Sequence, residues 1–298
     1  MSFGDVNKLV INDKDGLATK QNSEVFYRYL LSNNVAYNYC KRNIVDPNPL
    51  DEKILAVGEK FNNRYKTTLS LIKGTCENNN IDFALFKTYK YINEAVDGDI
   101  DLVVKEKDFN NFLGIMRGLG FECLEDEPLK GRCEKEGYSK IEPRVTVSYH
   151  GMEVFNEPEI WKNVYEVSVD GLSVLSTTKE FDSICLLLNV LYGPKYVSLY
   201  LYWLTKGIGS EVVKDLTDKV EISEDINFIS QELLDQESLK KKFPLFLDNT
   251  SFIIWWLKRI LFNGSFTLKE RFKHLVFFYY IKYKYILFNK LHFEHKWI

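Results

Sequence analysis

The chain has 298 residues, 45% of them apolar and 27% charged, a globular profile with ample material for a core. A net charge of −3 argues against a uniformly basic nucleic-acid protein, and no apolar run approaches the roughly 18–20 residues needed to span a bilayer. The five cysteines are dispersed without a C-x-x-C pair, which argues against zinc knuckles and thioredoxin-like chemistry.

With no signal peptide in view, a reducing cytoplasm is the expected compartment. The charge is unevenly held. Residues 251–298 carry nine Lys/Arg against two acids, leaving −10 for residues 1–250, and the same tail has 15 of the 44 aromatic residues.

The first 80 residues read as helical. Asn48-Pro49 followed by Asp51 and Glu52 is a helix start, and Ile54, Val57, Phe61, Tyr65, Leu69, Ile72 and Cys76 recur on one face. Asn78-Asn79-Asn80 ends that helix, and Ile81 to Phe86 is a short apolar run fit for a strand. Asp99 to Val104, DIDLVV, reads as a second strand. Asp108 is the expected cap of a helix with Phe109, Phe112, Leu113, Met116 and Leu119 inward, stopped by Gly118 and Gly120.

Phe121–Leu124, Val145–Tyr149, Glu153–Phe155, Tyr165–Val169 and Leu172–Leu175 follow as short strands, with Asp170-Gly171 as a hairpin turn. Thr177 with Glu180 fits a capping box opening a helix through Phe181, Ile184, Leu187, Leu188 and Leu191 to Gly193-Pro194. Beyond it the expectation is helix, with no strand alternation. The expected architecture is α+β, a small mixed sheet unit between helical regions. Its divisions are an N-terminal helical segment over 1–80, the sheet domain over 81–176, and a helical domain with a basic aromatic tail over 177–298.

The acids at the mouth of the second strand call for a cause. Strand residues i and i+2 share a face about 6.5–7 Å apart, so Asp99 and Asp101 point one way while Ile100, Leu102 and Val104 face the core. Two such carboxylates repel unless a cation lies between them, and magnesium favours one or two carboxylates completed by water and phosphate. Two such ions clamp an in-line phosphoryl displacement. The best third acid is Glu142, at the start of a later strand where Pro143 suits an end or edge. Arg144 shares its face and could reach phosphate oxygens. Glu153 is the reserve acid.

The order of helix, strand and turn, G-D-x-D with an aliphatic run, helix, and later strand acid resembles the nucleotidyltransferase superfamily, which includes DNA polymerase beta, tRNA CCA-adding enzymes and aminoglycoside nucleotidyltransferases. Within it the chain is most similar to a family reading roughly "llKG … DIDLLV … vELHW". Leu85-Phe86-Lys87-Thr88 matches the first block, Asp99 to Val104 the second, and Ile141-Glu142-Pro143 the third. The outline runs from about residue 50 to 290, but only these blocks are specific.

The resemblance implies a nucleotidyltransferase-type core moving an NMP from a nucleoside triphosphate to an acceptor hydroxyl. Asp99, Asp101 and Glu142 would hold Mg2+ or Mn2+, and Glu142 would help activate the hydroxyl. Lys87, Thr88 and Arg144 would face the triphosphate. Thr88-Tyr89 stands where the family has glycine, whose backbone approaches phosphates closely. That departure motivates a second reading, a nucleotide- or RNA-binding module of the same fold without turnover.

A D-x-D glycosyltransferase is a further alternative, disfavoured because the preceding 80 residues look helical rather than sheet-forming. Taken alone, D-x-D is also an ordinary polar strand entry. The acceptor could be a small molecule, a protein or an RNA. Lys269 to Tyr285 mixes bases with aromatics and reads as an amphipathic helix on the catalytic unit, its basic face toward an anionic partner, with membrane surface and nucleic acid as alternatives.

Overall fold

The computed structural model describes residues 36–43, 47–87, 99–127, 129–149, 152–169 and 171–192, with shorter stretches at 196–197, 201–202, 205, 212, 216, 220–233 and 245–246. Helix α1 spans Ala36–Asn43 and α2 spans Pro49–Asn78. The start of α2 is set as its sequence suggests. The Asn48 side chain accepts the Leu50 and Asp51 N–H groups at 2.8 and 3.0 Å, and the Asp51 carboxylate accepts the Asn48 N–H at 3.0 Å. At its far end Asn80 turns through a left-handed φ of 52° that asparagine tolerates.

The buried face of α2 departs from expectation in its first half. Val57 is 47% exposed and Phe61 only half-buried, while Gly58 and Asn62 are inward. The reason is α1. The Tyr37 ring lies where a Cβ on Gly58 would sit, and Asn62 Nδ2 donates to the Tyr37 hydroxyl at 3.1 Å. A large side chain at position 58 would hold the helices apart.

The remaining elements are β1 (Phe83–Leu85), β2 (Asp99–Val104), α3 (Glu106–Gly118), β3 (Glu122–Glu127), β4 (Lys130–Glu134), β5 (Lys140–Arg144), β6 (Val147–Tyr149), β7 (Met152–Phe155), α4 (Glu157–Trp161), β8 (Val164–Val169), β9 (Leu172–Thr177), α5 (Lys179–Tyr192), β10 (Tyr196–Val197), α6 (Val220–Leu233) and β11 (Leu245–Phe246). The protein is therefore α+β. Its main sheet has seven strands in the order β3-β4-β5-β2-β1-β9-β8. β2 runs parallel to β5 and β1 parallel to β9, and the other neighbours are antiparallel, so the sheet is mixed.

Several local expectations are corrected. Asp108 does not cap α3, which starts at Glu106 with Asp108 in its first turn; the Glu157 carboxylate accepts the Glu106 N–H at 2.9 Å instead. The cap of α5 falls at Thr178, whose hydroxyl accepts the Phe181 N–H at 3.3 Å, because Thr177 is drawn inward to Asp182 and the Leu85 carbonyl. The expected strand over 145–149 bends at Val145–Thr146, leaving Glu142 inside the separate strand β5. β10 and β11 form a two-residue ladder in a region expected to be helical.

Pro143 was expected at a strand end or edge, yet β5 lies inside the sheet. Gly131 accommodates it: Pro143 Cγ lies 3.4 Å from where a Gly131 Cβ would be. Pairing of β4 with β5 occurs at Lys130–Arg144 and Cys133–Ile141, so the ladder is interrupted opposite the proline, which has no N–H to donate. The hairpin at 170–171 matches its signal, with Val169 paired to Leu172 and Gly171 at φ 81°.

One face of the sheet is apolar. Ile100, Leu102 and Val104 of β2, with Phe83, Leu85 and Ile141, pack with Tyr65, Leu69, Ile72 and Cys76 of α2 and Phe109, Phe112, Leu113 and Met116 of α3. On the other face Ala84, Phe86 and Val103 are also buried, and Phe86 and Phe155 pack against Phe181 of α5. Tyr149 of β6 donates to the Cys185 carbonyl of α5 at 2.5 Å, and Tyr192 donates to Asp225 of α6 at 2.9 Å. Cys123 and Cys133 oppose directly on β3 and β4 and are joined as a disulfide, which the reducing-compartment expectation did not anticipate. Among the described residues no helix is long and apolar enough to cross a membrane. The basic aromatic tail lies outside the described residues.

Gly58→Ala is expected to cost about 1–3 kcal/mol of stability by forcing the Tyr37 ring aside. Urea unfolding of the single variant and of Gly58→Ala in a Tyr37→Ala background checks this. The penalty should shrink in the second background, where the obstructing ring is gone.

Candidate functional site

Parallel pairing gives the candidate site its geometry. β2 and β5 run side by side with Asp99 opposite Lys140, Asp101 opposite Glu142 and Val103 opposite Arg144. Because Ile100, Leu102, Val104 and Ile141 belong to the helix-covered core, alternation sends Asp99, Asp101, Lys140, Glu142 and Arg144 to the opposite face. The expectation that the two aspartates share a face is met.

These side chains form one connected set of ion pairs. Lys140 Nζ lies 3.0 Å from Asp99 Oδ2 and 2.5 Å from Glu142 Oε1. Arg144 Nη2 lies 3.4 Å from Glu142 Oε2 and pairs closely with Asp101 Oδ1. Lys87 Nζ reaches Asp101 Oδ2 at 3.5 Å. Cations thus lie between the carboxylates, and they are side chains of the protein. Among the described residues, no three acidic, histidine or cysteine groups converge on a point that could hold a metal ion.

Burial grades the set. The side chain of Arg144 is 6% exposed, that of Asp101 14%, and that of Asp99 41%. Burial alone would push the Asp101 carboxyl up, but the charges of Lys87, Arg144 and Lys140 outweigh it and hold the group below its ordinary range. Asp99 goes the other way. Burial, together with the neighbouring charges of Glu142 and Asp101, outweighs its hydrogen bond to Lys140 and raises it. For Lys140, burial disfavours the charge, yet the bonds to Glu142 and Asp99 win and raise its pKa.

Lys87 is placed by its backbone. It follows β1 with a left-handed φ of 66°, which an L-residue adopts only when its surroundings hold it there. The holding group is the buried Asp182 of α5, whose carboxylate accepts the Lys87 N–H at 2.8 Å. One residue earlier, the Phe86 N–H donates to the Asp101 carbonyl at 3.1 Å. Lys87 Nζ and the Arg144 guanidinium lie 5.1 and 5.3 Å from the centre of the Phe86 ring, which gives both cations a π face. Arg144 Nε is buried without a hydrogen-bond partner among the described residues.

The structure thus brings together Asp99, Asp101, Glu142, Lys87 and Arg144 of the expected set. Thr88 lies outside the described residues. The reserve acid Glu153 is exposed on the β6–β7 hairpin, a separate two-stranded sheet. Lys140 and Asp182 were not among the sequence candidates. Lys140 was legible, since it precedes Glu142 by two on the same strand, the rule that selected Arg144. Asp182 carried no such signal, being 95 residues from the backbone it holds. The free thiols Cys40 and Cys76 are buried, and burial first, then nearby acids, pushes each up to about 12, which disfavours the thiolate at neutral pH.

No family model and no curated protein matches the chain, so the narrower family suggested by the three motif blocks gains no support. Two solved structures are similar to part of the chain. A solution structure of the antibiotic-resistance factor ANT(2'')-Ia matches at a TM-score of 0.39 and 12% identity, over 55% of this chain and 90% of that one. A crystal structure of ANT(2'')-Ia in complex with adenylyl-2''-tobramycin matches at 0.40 and 14%, over 50% of this chain and 92% of that one. A likeness of this size assigns this chain no activity.

Asp101→Asn would leave two cations buried without their carboxylate and is expected to cost about 3–5 kcal/mol near neutral pH. The folded carboxyl titrates below its ordinary 3.8, so its stabilisation is complete well above that pH and is lost progressively as pH falls from there to the lower folded value. Urea unfolding of both proteins at about pH 7, 5 and 3 checks the sign. The gap should be equal at the first two and smaller at the third.

Proposed function

We propose that the protein is a nucleotidyltransferase that moves an NMP from a nucleoside triphosphate to an acceptor hydroxyl with release of pyrophosphate. One observation carries the reading. Asp99 and Asp101 of β2, Glu142 and Arg144 of β5, and Lys87 just beyond β1 meet in one set of ion pairs, and these are residues to which the resemblance gives metal-holding and phosphate-facing roles.

The donors fit a hard divalent cation in kind. They are all carboxylate oxygens, and Lys140 Nζ already marks a cation position between Asp99 and Glu142. With Lys140 in place the three acids do not converge on one point, so Asp99, Asp101 and Glu142 would hold Mg2+ or Mn2+ only once that ammonium has moved aside, and the ion would then supply charge neutralisation along the phosphate chain. Lys87 and Arg144 keep Asp101 ionised. Arg144, fixed by burial, presents a rigid guanidinium toward phosphate oxygens, and Lys87 leaves β1 on a backbone held by Asp182. Thr88 would face the same phosphates in this reading. The acceptor oxygen forms a bond to the α-phosphorus, the bond to the bridging oxygen breaks, and pyrophosphate leaves with the electron pair. The hydroxyl proton passes to Glu142. In this reading the sheet unit over 81–176 carries the site.

A second reading has its own observation. The acids are already paired by protein cations, and Thr88-Tyr89 replaces the glycine of the phosphate turn, as in a nucleotide-binding module without turnover.

Incubation with each α-labelled nucleoside triphosphate and magnesium, with total RNA, hydroxylated small molecules or the protein itself as acceptor, separates the two. The proposal expects label transfer and pyrophosphate release, both falling about 100-fold or more in Asp99→Asn. Nucleotide binding without pyrophosphate release under every condition favours the module. Neither binding nor release overturns both.

A further inference from the structure

We propose that Lys140 is the resident cation of this site, held between Asp99 and Glu142 until a divalent ion and a triphosphate arrive together and displace it. The inference rests on the nucleotidyltransferase reading and concerns how that site loads. Lys140 Nζ touches both carboxylates, at 3.0 and 2.5 Å, so it occupies the space a metal bound by the same two acids would need. It faces Asp99 directly across the β2–β5 pair, a placement fixed by strand register.

Lys140 and Arg144 differ in their freedom to leave. The Arg144 side chain is 6% exposed, and it packs over Phe86 and pairs with Asp101. That of Lys140 is 26% exposed, beside an Asp99 that is 41% exposed, and its ammonium ends a flexible four-carbon stem. Lys140 is the cation able to swing toward solvent while Arg144 stays.

The charges also balance without a ligand. Asp99, Asp101 and Glu142 are countered by Lys87, Lys140 and Arg144. A bare divalent ion entering this neutral set must overcome the ammonium for its ligands and leaves the site with excess positive charge. A triphosphate removes both obstacles. It supplies anionic oxygens to the metal and a new partner for the displaced ammonium. Metal and nucleotide binding are therefore coupled through Lys140.

The test is Mn2+ binding to the full chain, read from loss of the free-ion electron paramagnetic resonance signal, with and without a non-hydrolysable triphosphate. Without nucleotide, Lys140→Gln is expected to bind Mn2+ about tenfold more tightly than wild type, and the analogue should strengthen binding far more in wild type than in the variant. Lys140→Arg, which keeps the charge, should bind as weakly as wild type and guards against misfolding of the glutamine variant. Equal or weaker Mn2+ binding in folded Lys140→Gln, with binding still abolished by Asp99→Asn, overturns the role of Lys140 and leaves the metal site standing. Absence of any Asp99-dependent Mn2+ binding, with or without nucleotide, overturns the metal reading and this inference with it.

Discussion

A carboxylate inside a sheet is unstable unless cations surround it, and the ring of Lys87 and Arg144 around Asp101 meets that demand. Removing an ion from water costs several kcal/mol, recovered only when geometry and partners are good. Asp101 has both, and its carboxyl is accordingly held ionised despite its burial. The consequences spread along the chain. Arg144 fixes β5 to β2 on the charged face, Lys87 fixes the exit of β1, and Asp182 fixes the same backbone from α5. Two carboxylates on separate elements thus decide where one residue lies.

Strand direction gives this arrangement its economy. In the parallel pair β2–β5 the first residues of both strands lie at the same end of the sheet, so Asp99 meets Lys140 and Asp101 meets Glu142. An antiparallel neighbour would have set the start of one against the end of the other, and the charged positions would not have met. Alternation then divides the sheet by face. Ile100, Leu102 and Ile141 serve the core under α2 and α3, while the residues between them serve the charged face. The proline inside β5 is tolerated because Gly131 on β4 leaves it room.

Much of this was legible. The DIDLVV strand, the Asn48 cap, the apolar face of α3 and the 170–171 hairpin follow from periodicity and turn chemistry, which are local rules. The same-face aspartates and the Glu142–Arg144 pair follow from the two-residue repeat. What failed was set by tertiary contacts. Tyr37 draws Gly58 and Asn62 of α2 inward in place of Val57. Thr177 gives up the cap of α5 because Asp182 and the Leu85 carbonyl claim its hydroxyl. Strand β4, KGRCE, carries too little alternation to announce itself and is held by its neighbours on both sides.

The balance of charge at the strand mouths also bears on what such a site can do. Acids gathered without bases would protonate or repel, and the fold would depend on a bound ion. Here the bases are built in, so the acid face is satisfied by the protein's own side chains. The same pairing sets a threshold for any cation that enters. Stability of the paired charges and affinity for an ion oppose each other, and the exposed end of the network, at Asp99 and Lys140, is where that opposition is weakest.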